Sequence, residues 1–237
     1  MTKLHPPSIH PVLQTVRTRP QSFFSFFMLP TPDLPPLAET VYEPAEDSFL
    51  FLDCFEELRP SRAFPIVCEI GAGSGVVSTF LKAHVFPDGT FFATDVNPAA
   101  CQAVAATARL NKADIDPCQM SLTSALRKRT VDVLVFNPPY VPAEDVPLRP
   151  AASEDPVWLD LALLGGTDGM VVTQQVLDSL DDILAPGGAA YILFCARNRP
   201  DDVARQMKEK GWQVEVVAHR TAGWEVLSIL EFKREGL

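Results

Sequence analysis

What this sequence most plainly lacks is a set of metal ligands. It contains no C-x-x-C, its five cysteines (Cys54, Cys68, Cys101, Cys118, Cys195) are widely spaced, and His5, His10, His84 and His219 add no short-spaced pair. A zinc site needs ligands at short spacing, so no metal is expected on this chain. Cys68 and Cys195 fall inside apolar runs, where cysteine acts as a small buried hydrophobe. All five are read as reduced thiols of an intracellular protein. No run reaches 18 apolar residues, so no membrane-spanning helix is expected. Positive charge is scarce too. Twenty Lys and Arg face 30 Asp and Glu, giving a net charge of −10 and a pI near 4.8, which argues against a generic binder of phosphate backbones.

What is present is enough for one core. The chain has 237 residues, 47% of them hydrophobic and 15 of them Phe, which excludes disorder of the whole and suits one domain better than two. Eleven of the 22 prolines lie in the first 65 residues. Residues 1–32 carry Lys3, Arg17 and Arg19 and no acid, so the remainder is net −13. Residues 1–40 are therefore expected to be a Pro-rich, poorly ordered leader, and residues 41–237 the folded domain. Pro6, Pro7, Pro11 and Pro20 oppose the amphipathic helix of a transit peptide. Residues 1–27 are read as an upstream extension, with Met28 near the functional start.

From residue 41 strands and helices alternate. A helix capped by Asp47 or Ser48 is expected to run to about Leu58. The apolar run Ile66–Ile70 leads into Gly71-Ala72-Gly73-Ser74-Gly75 and a helix from Val76 to about Val85. Thr90–Thr94 forms a strand ending at Asp95, and Pro98 suits the first turn of a helix to Asn111. A weak strand lies near Pro117–Met120, and Val131–Phe136 is strongly β-branched. A polar loop is expected over residues 142–160, and a helix over about Met170–Leu184. Pro186-Gly187-Gly188 predicts a turn into a strand at Ala189–Cys195. A helix over Asp201–Lys210 and strands near Gln213–His219 and Glu225–Phe232 complete an α/β domain of seven strands, mostly parallel and covered on both faces.

Ligands of such sheets bind beyond the carboxyl ends of the strands. There, Gly71, Gly73 and Gly75 let the backbone approach a ligand. The spacing is G-x-G-x-G rather than the G-x-G-x-x-G of dinucleotide folds, because Val76 occupies the last glycine position. Glu69, just before the loop, suits a cationic amino group better than a phosphate. Asp95, 20 residues after Gly75, can accept from both ribose hydroxyls. A nucleoside with a positive amino-acid tail satisfies both acids, and S-adenosylmethionine is such a molecule.

Asn137-Pro138-Pro139-Tyr140 follows the most hydrophobic strand at the same sheet edge. The side-chain oxygen of Asn137 and the carbonyl of Pro138 are placed to accept both hydrogens of a planar –NH2, holding its lone pair toward a methyl sulfonium. Tyr140 offers a flat apolar face with a polar tip. Arg127-Lys128-Arg129 is read as a solvated helix end. The acids of residues 142–160 are read as solvated or facing a basic partner, and Glu43, Glu46 and Asp47 as charges at a helix start.

Three stretches, Val41–Leu50 (VYEPAEDSFL), Glu69–Ser78 (EIGAGSGVVS) and Val135–Val141 (VFNPPYV), resemble the HemK-like N5-glutamine methyltransferases, in particular their eukaryotic release-factor branch. The resemblance implies a Rossmann-like sheet of order 3-2-1-4-5-7-6. It places cofactor contacts at Ser48, Glu69, Gly71, Gly73, Asp95, Ser121, Leu122 and Asn137. Acceptor contacts fall on Asn137, Pro138, Pro139, Tyr140 and Val141, with Asn137, Pro138 and Tyr140 catalytic. It also implies S-adenosyl-L-methionine as cofactor, the glutamine of the Gly-Gly-Gln loop of the class 1 translation release factor as acceptor, and a small zinc-binding activator as heterodimer partner. The activator would dock by strand addition along Cys118-Gln119-Met120. Where the family has Asp-Leu after strand three, this chain has Ser121-Leu122, so the adenine amino group would meet an uncharged acceptor. Neither membrane nor direct nucleic-acid binding is expected. The expected compartment is the cytoplasm, with the nucleus as a further one. Two rival readings stand beside this one: an adenine-N6 or guanine-N2 nucleic-acid methyltransferase, which shares N-P-P-Y, and a catalytically silent cofactor-binding module.

Overall fold

Strand parity organises the molecule. Along Val131–Phe136 (β4), Val133 and Val135 enter one buried cluster while Leu134 and Phe136 enter the other. Leu184–Cys195 (β5) repeats this, with Tyr191 and Leu193 on one side and Ala190, Ile192 and Phe194 on the other. This period of two, apolar on both faces, marks interior strands of a sheet sandwiched between helices. The computed structural model describes residues 29–58, 60 and 62–234. The expectations for residues 1–28 lie outside the described residues.

Ile66–Ile70 (β1) pairs in parallel with both Thr90–Asp95 (β2) and β4. Asp116–Gln119 (β3) lies outside β2, and β5 runs parallel to β4. Gln213–Ala222 (β6) and Glu225–Lys233 (β7) form an antiparallel hairpin whose β7 pairs with β5. The order is β3-β2-β1-β4-β5-β7-β6, as the resemblance implied. The direction of strand progression reverses between β1 and β4, so the ligand crevice of this topology opens there.

Glu46–Leu58 (α1), Val76–Phe80 (α2) and Pro98–Leu110 (α3) cover one face. Val171–Ile183 (α5) and Pro200–Glu209 (α6) cover the other. The helix expected to reach Val85 does so, with Leu81–Val85 wound as a π-helical turn. Asn97 caps α3 by accepting the Ala99 N–H at 2.9 Å, and Pro98 occupies the first turn.

Three expectations change. The stretch 142–160 is not all loop, because Val157–Leu163 is a helix (α4) that buries Trp158. Pro186-Gly187-Gly188 does not precede a strand but runs inside β5, where the register against β4 shifts between Val131 and Val133. The irregularity absorbs a proline that an even ladder would exclude. Residues 29–40, placed in the leader, lie along the domain as a strap. The Leu29 N–H donates to Glu56 at 3.0 Å, and Asp33 exchanges two hydrogen bonds with the Asn111 side chain at 3.0 and 2.8 Å. The Thr40 carbonyl accepts from Asn97 Nδ2 at 2.8 Å.

Asn97 thus serves a helix cap and the strap together. Asn97→Ala is expected to cost about 1–2 kcal/mol, measured as a lower urea midpoint with an unchanged m-value.

Candidate active site

The loop after β1 is shaped by glycines at φ +64° (Gly71), +53° (Gly73) and +78° (Gly75). Gly75 has no alternative, since a Cβ there would sit 2.9 Å from the Cα of Val104 on α3. A Cβ on Gly73 would meet nothing within 4 Å, so its bare backbone faces open space where a ligand can approach. The Gly73 N–H donates to Asp95 Oδ2 at 3.0 Å, and the Asn97 N–H donates to Asp95 Oδ1 at 2.9 Å. Glu69, on the α2 face of β1, accepts the Ser78 N–H at 2.9 Å and the Ser78 hydroxyl as well.

The turn after β4 is held from behind by main chain. A Cβ on Gly165 would lie 2.1 Å from the Pro139 carbonyl oxygen, and one on Gly169 would lie 2.0 Å from that of Tyr140. Val141 adds a short parallel bridge to Leu164, with N–H bonds of 2.9 Å running both ways across residues 141, 163 and 165. Asn198 completes the support. Its Nδ2 donates to the carbonyls of Tyr140 (3.0 Å) and Asp168 (2.9 Å), and its Oδ1 accepts the Cys195 N–H at 2.9 Å. The Tyr140 hydroxyl donates to Glu225 at 3.4 Å. The Asn137 Oδ1 is buried with no hydrogen-bond partner among the described residues.

The two turns face one cavity of about 340 Å³. It brings together every residue expected at the site: Ser48, Glu69, Gly71, Gly73, Asp95, Ser121 and Leu122 on one part of the lining, and Asn137 through Val141 on another. Among the described residues no group of three or more His, Cys, Asp or Glu is placed to hold a metal ion.

A family model for the methyltransferase small domain matches residues 46–150. Human Methyltransferase HEMK2 is 38% identical over 198 residues, covering 82% of this chain and 90% of the relative. The chain belongs to the HemK-like glutamine methyltransferases. In the same branch, the eRF1 methyltransferase catalytic subunit mtq2 of Schizosaccharomyces pombe is 37% identical over 217 residues, covering 84% of this chain and 91% of that protein. Among solved structures, a chain of the E. cuniculi Mtq2-Trm112 complex superimposes with a TM-score of 0.64 at 26% identity, over 83% of this chain and 99% of its own.

Several residues of this HemK-like methyltransferase site had no signal of their own. Thr40 and Val41 reach the cavity on the strap, and Tyr42 follows directly. Trp158 and Leu161 reach it from α4. Arg149 lies across the cavity's rim, donating to the Val96 carbonyl at 2.7 Å with its guanidinium 5.7 Å from the Trp158 ring. Gly165, Gly169 and Asn198 carry no such signal in the sequence.

Burial dominates the electrostatics. It pushes the Glu69 carboxyl up to about 8; Ser78's two hydrogen bonds offset part of this, and the nearby Asp95 charge adds to it. Burial also raises Asp95, against backbone hydrogen bonds and the Arg149 charge. Tyr42 is raised to about 12 by burial, with Asp47 and Glu225 adding. Tyr140 is raised further by burial and the same acids, so it remains a neutral phenol.

An unfolded Glu69 titrates near 4.5. Between that pH and about 8 the folded chain holds a proton that the unfolded chain has lost. Its contribution to stability therefore falls as pH rises through this window, by at most about 1.4 kcal/mol per unit. Glu69→Gln is expected to remove that slope. The melting-temperature difference, variant minus wild type, should grow between pH 5 and pH 8 in ligand-free protein followed by calorimetry.

Proposed function

We propose that this methyltransferase transfers a methyl group from S-adenosyl-L-methionine to the side-chain amide nitrogen (N5) of the glutamine in the Gly-Gly-Gln loop of the class 1 translation release factor. It would act as the catalytic subunit of a heterodimer with a small zinc-binding activator. One observation carries the reading: the buried, partnerless Asn137 Oδ1 in the wall of the cavity. An orphaned buried acceptor costs about 1–3 kcal/mol, and an amide –NH2 removes that cost on binding.

The cavity lining fits S-adenosylmethionine. Gly73 gives open backbone, Glu69 a carboxylate for the ammonium, Asp95 an acceptor for ribose hydroxyls, and Ser121 with Leu122 a short wall for adenine. Ser48 and Gly71 flank the amino-acid end. When bound, the cofactor supplies an electrophilic methyl on a sulfonium. The chain's own work is positioning. Asn137 Oδ1 and the Pro138 carbonyl accept the two amide hydrogens, which orients the nitrogen lone pair and favours in-line attack. Pro139 and Val141 border the acceptor, and Tyr140, kept neutral, gives it a flat wall. No side chain is needed as a base, because the proton leaves to solvent after the methyl has moved.

The relatives' names support this substrate. Deinococcus radiodurans has a release factor glutamine methyltransferase 34% identical to this chain over 172 residues, and the E. cuniculi complex is responsible for methylation of the eRF1 translation termination factor. For the activator we favour the outer edge of β3, which pairs only with β2. Strand addition along Cys118-Gln119-Met120 would use the outward backbone groups of this edge, the Met120 N–H not among them because it donates to the Asp95 carbonyl at 3.0 Å. The compartment we propose is the cytoplasm, where such a substrate is used. The acidity of the domain disfavours a nucleic-acid acceptor.

The test uses the chain with its activator, methyl-labelled S-adenosylmethionine, and release factor carrying Gln or Asn in the Gly-Gly-Gln loop. Label is expected on the Gln form alone; equal labelling of both would sink the assignment. Asn137→Ala should lower kcat by about 10²–10³-fold with cofactor affinity little changed.

A further inference from the structure

The chain has three tryptophans, and two are buried: Trp158 at 3% and Trp212 at 6% exposed. Trp224 is 75% exposed. It sits with Gly223 in the two-residue turn of the β6–β7 hairpin, where Ala222 pairs with Glu225. An indole so exposed adds little to the core. Its one recorded neighbour of note is Arg197, whose guanidinium carbon stands 4.5 Å from the ring centroid. Among the described residues Arg197 has no carboxylate partner. The nearby Arg199 pairs with Asp168 at 3.1 Å, and Arg220, on the same hairpin as Trp224, pairs with Glu46 at 3.0 Å and with Asp53.

The position of this pair is set by Tyr140. Glu225, next to Trp224, accepts the Tyr140 hydroxyl, and Asn198, next to Arg197, donates to the Tyr140 carbonyl. Two separate segments, the start of β7 and the turn after β5, thus place an exposed indole and a guanidinium without a carboxylate partner among the described residues each next to a residue that bonds Tyr140, which lines the cavity. A guanidinium over an indole leaves its N–H donors pointing outward beside a flat apolar surface. That surface suits peptide planes and their carbonyls, above all where glycines put no side chain in between.

We propose that Trp224 and Arg197 form a ledge for the main chain of the loop that carries the acceptor glutamine. The indole lies against the glycine peptide planes, and the guanidinium donates to their carbonyls. This rests on the glutamine reading above and adds to it the residues that select the loop.

The experiment measures steady-state methylation by the chain with its activator, on whole release factor and on a synthetic peptide of its Gly-Gly-Gln loop. Trp224→Ala is expected to raise KM about tenfold for both acceptors, and Arg197→Ala severalfold. kcat and the KM for S-adenosylmethionine should stay within twofold, and Trp224→Phe should recover most of the loss. An unchanged KM for both acceptors overturns the ledge. So does a rise confined to whole release factor, which would put the contact outside the loop, or a parallel rise in cofactor KM, which would mean a disturbed hairpin. If the wild-type enzyme labels release factor and the variants match it, only the ledge fails. If the wild-type enzyme labels no glutamine, the glutamine reading fails and the ledge with it.

Discussion

Two stretches of main chain, residues 139–141 and 165–169, run so close that neither Gly165 nor Gly169 has room for a single methyl group. Nearly everything at the acceptor end depends on that contact. It removes the freedom of the turn after β4 to retreat into the protein. It places Asp168 so that one Asn198 amide reaches it and Tyr140 together. It also orders the start of α5, because the Val171 N–H donates to the Gly165 carbonyl at 2.9 Å. The same turn carries Asn137, whose Oδ1 stays buried without a hydrogen-bond partner among the described residues. Rigid support from behind is what allows an unsatisfied polar atom to persist in a folded protein.

At the other end of the cavity the fold holds two acids on adjacent parallel strands, Glu69 buried and Asp95 half-buried, in a domain that is already acidic. Neither gains a cationic side chain as a bonded partner, and both are served mainly by N–H donors. Burial of Glu69 without a cationic partner costs stability, a common relation between stability and function in binding sites. The acceptor end has no comparable charge problem. Its neutral phenols and prolines suit an uncharged amide.

Much of this was legible in the residues. Period-two apolar strands, Pro98 in the first turn of a helix and the glycine loop are local signals, and their positions hold to within a few residues. N-P-P-Y was legible because its chemistry is written in consecutive residues. What escaped was decided by contacts far apart in sequence. Trp158 lies in an acidic, Pro-containing stretch and becomes a wall residue only because the segment folds back on the turn. Asn198 looks like an ordinary loop residue until Tyr140, 58 positions away, is brought beside it. Pro186-Gly187-Gly188 has every mark of a turn, and only the register of β5 against β4 shows that a strand carries it. The strap was misjudged for a related reason. A Pro-rich segment has little secondary structure, but its backbone groups can still be satisfied by side chains of another element, as Asn97 and Asn111 do here.

That strap bears on how the protein assembles. Asp33 and Asn111 are separated by 78 residues and Thr40 and Asn97 by 57, whereas the helices and the β6–β7 hairpin close over short spans. Contacts of such sequence separation, like the pairing of Val67 with Val133 at the centre of the sheet, demand a large loss of chain entropy before they return anything. The sheet and α3 must exist before the strap has anything to dock on. Because Thr40, Val41 and Tyr42 form part of the cavity wall, the pocket is complete only when this long-range docking of the strap has taken place.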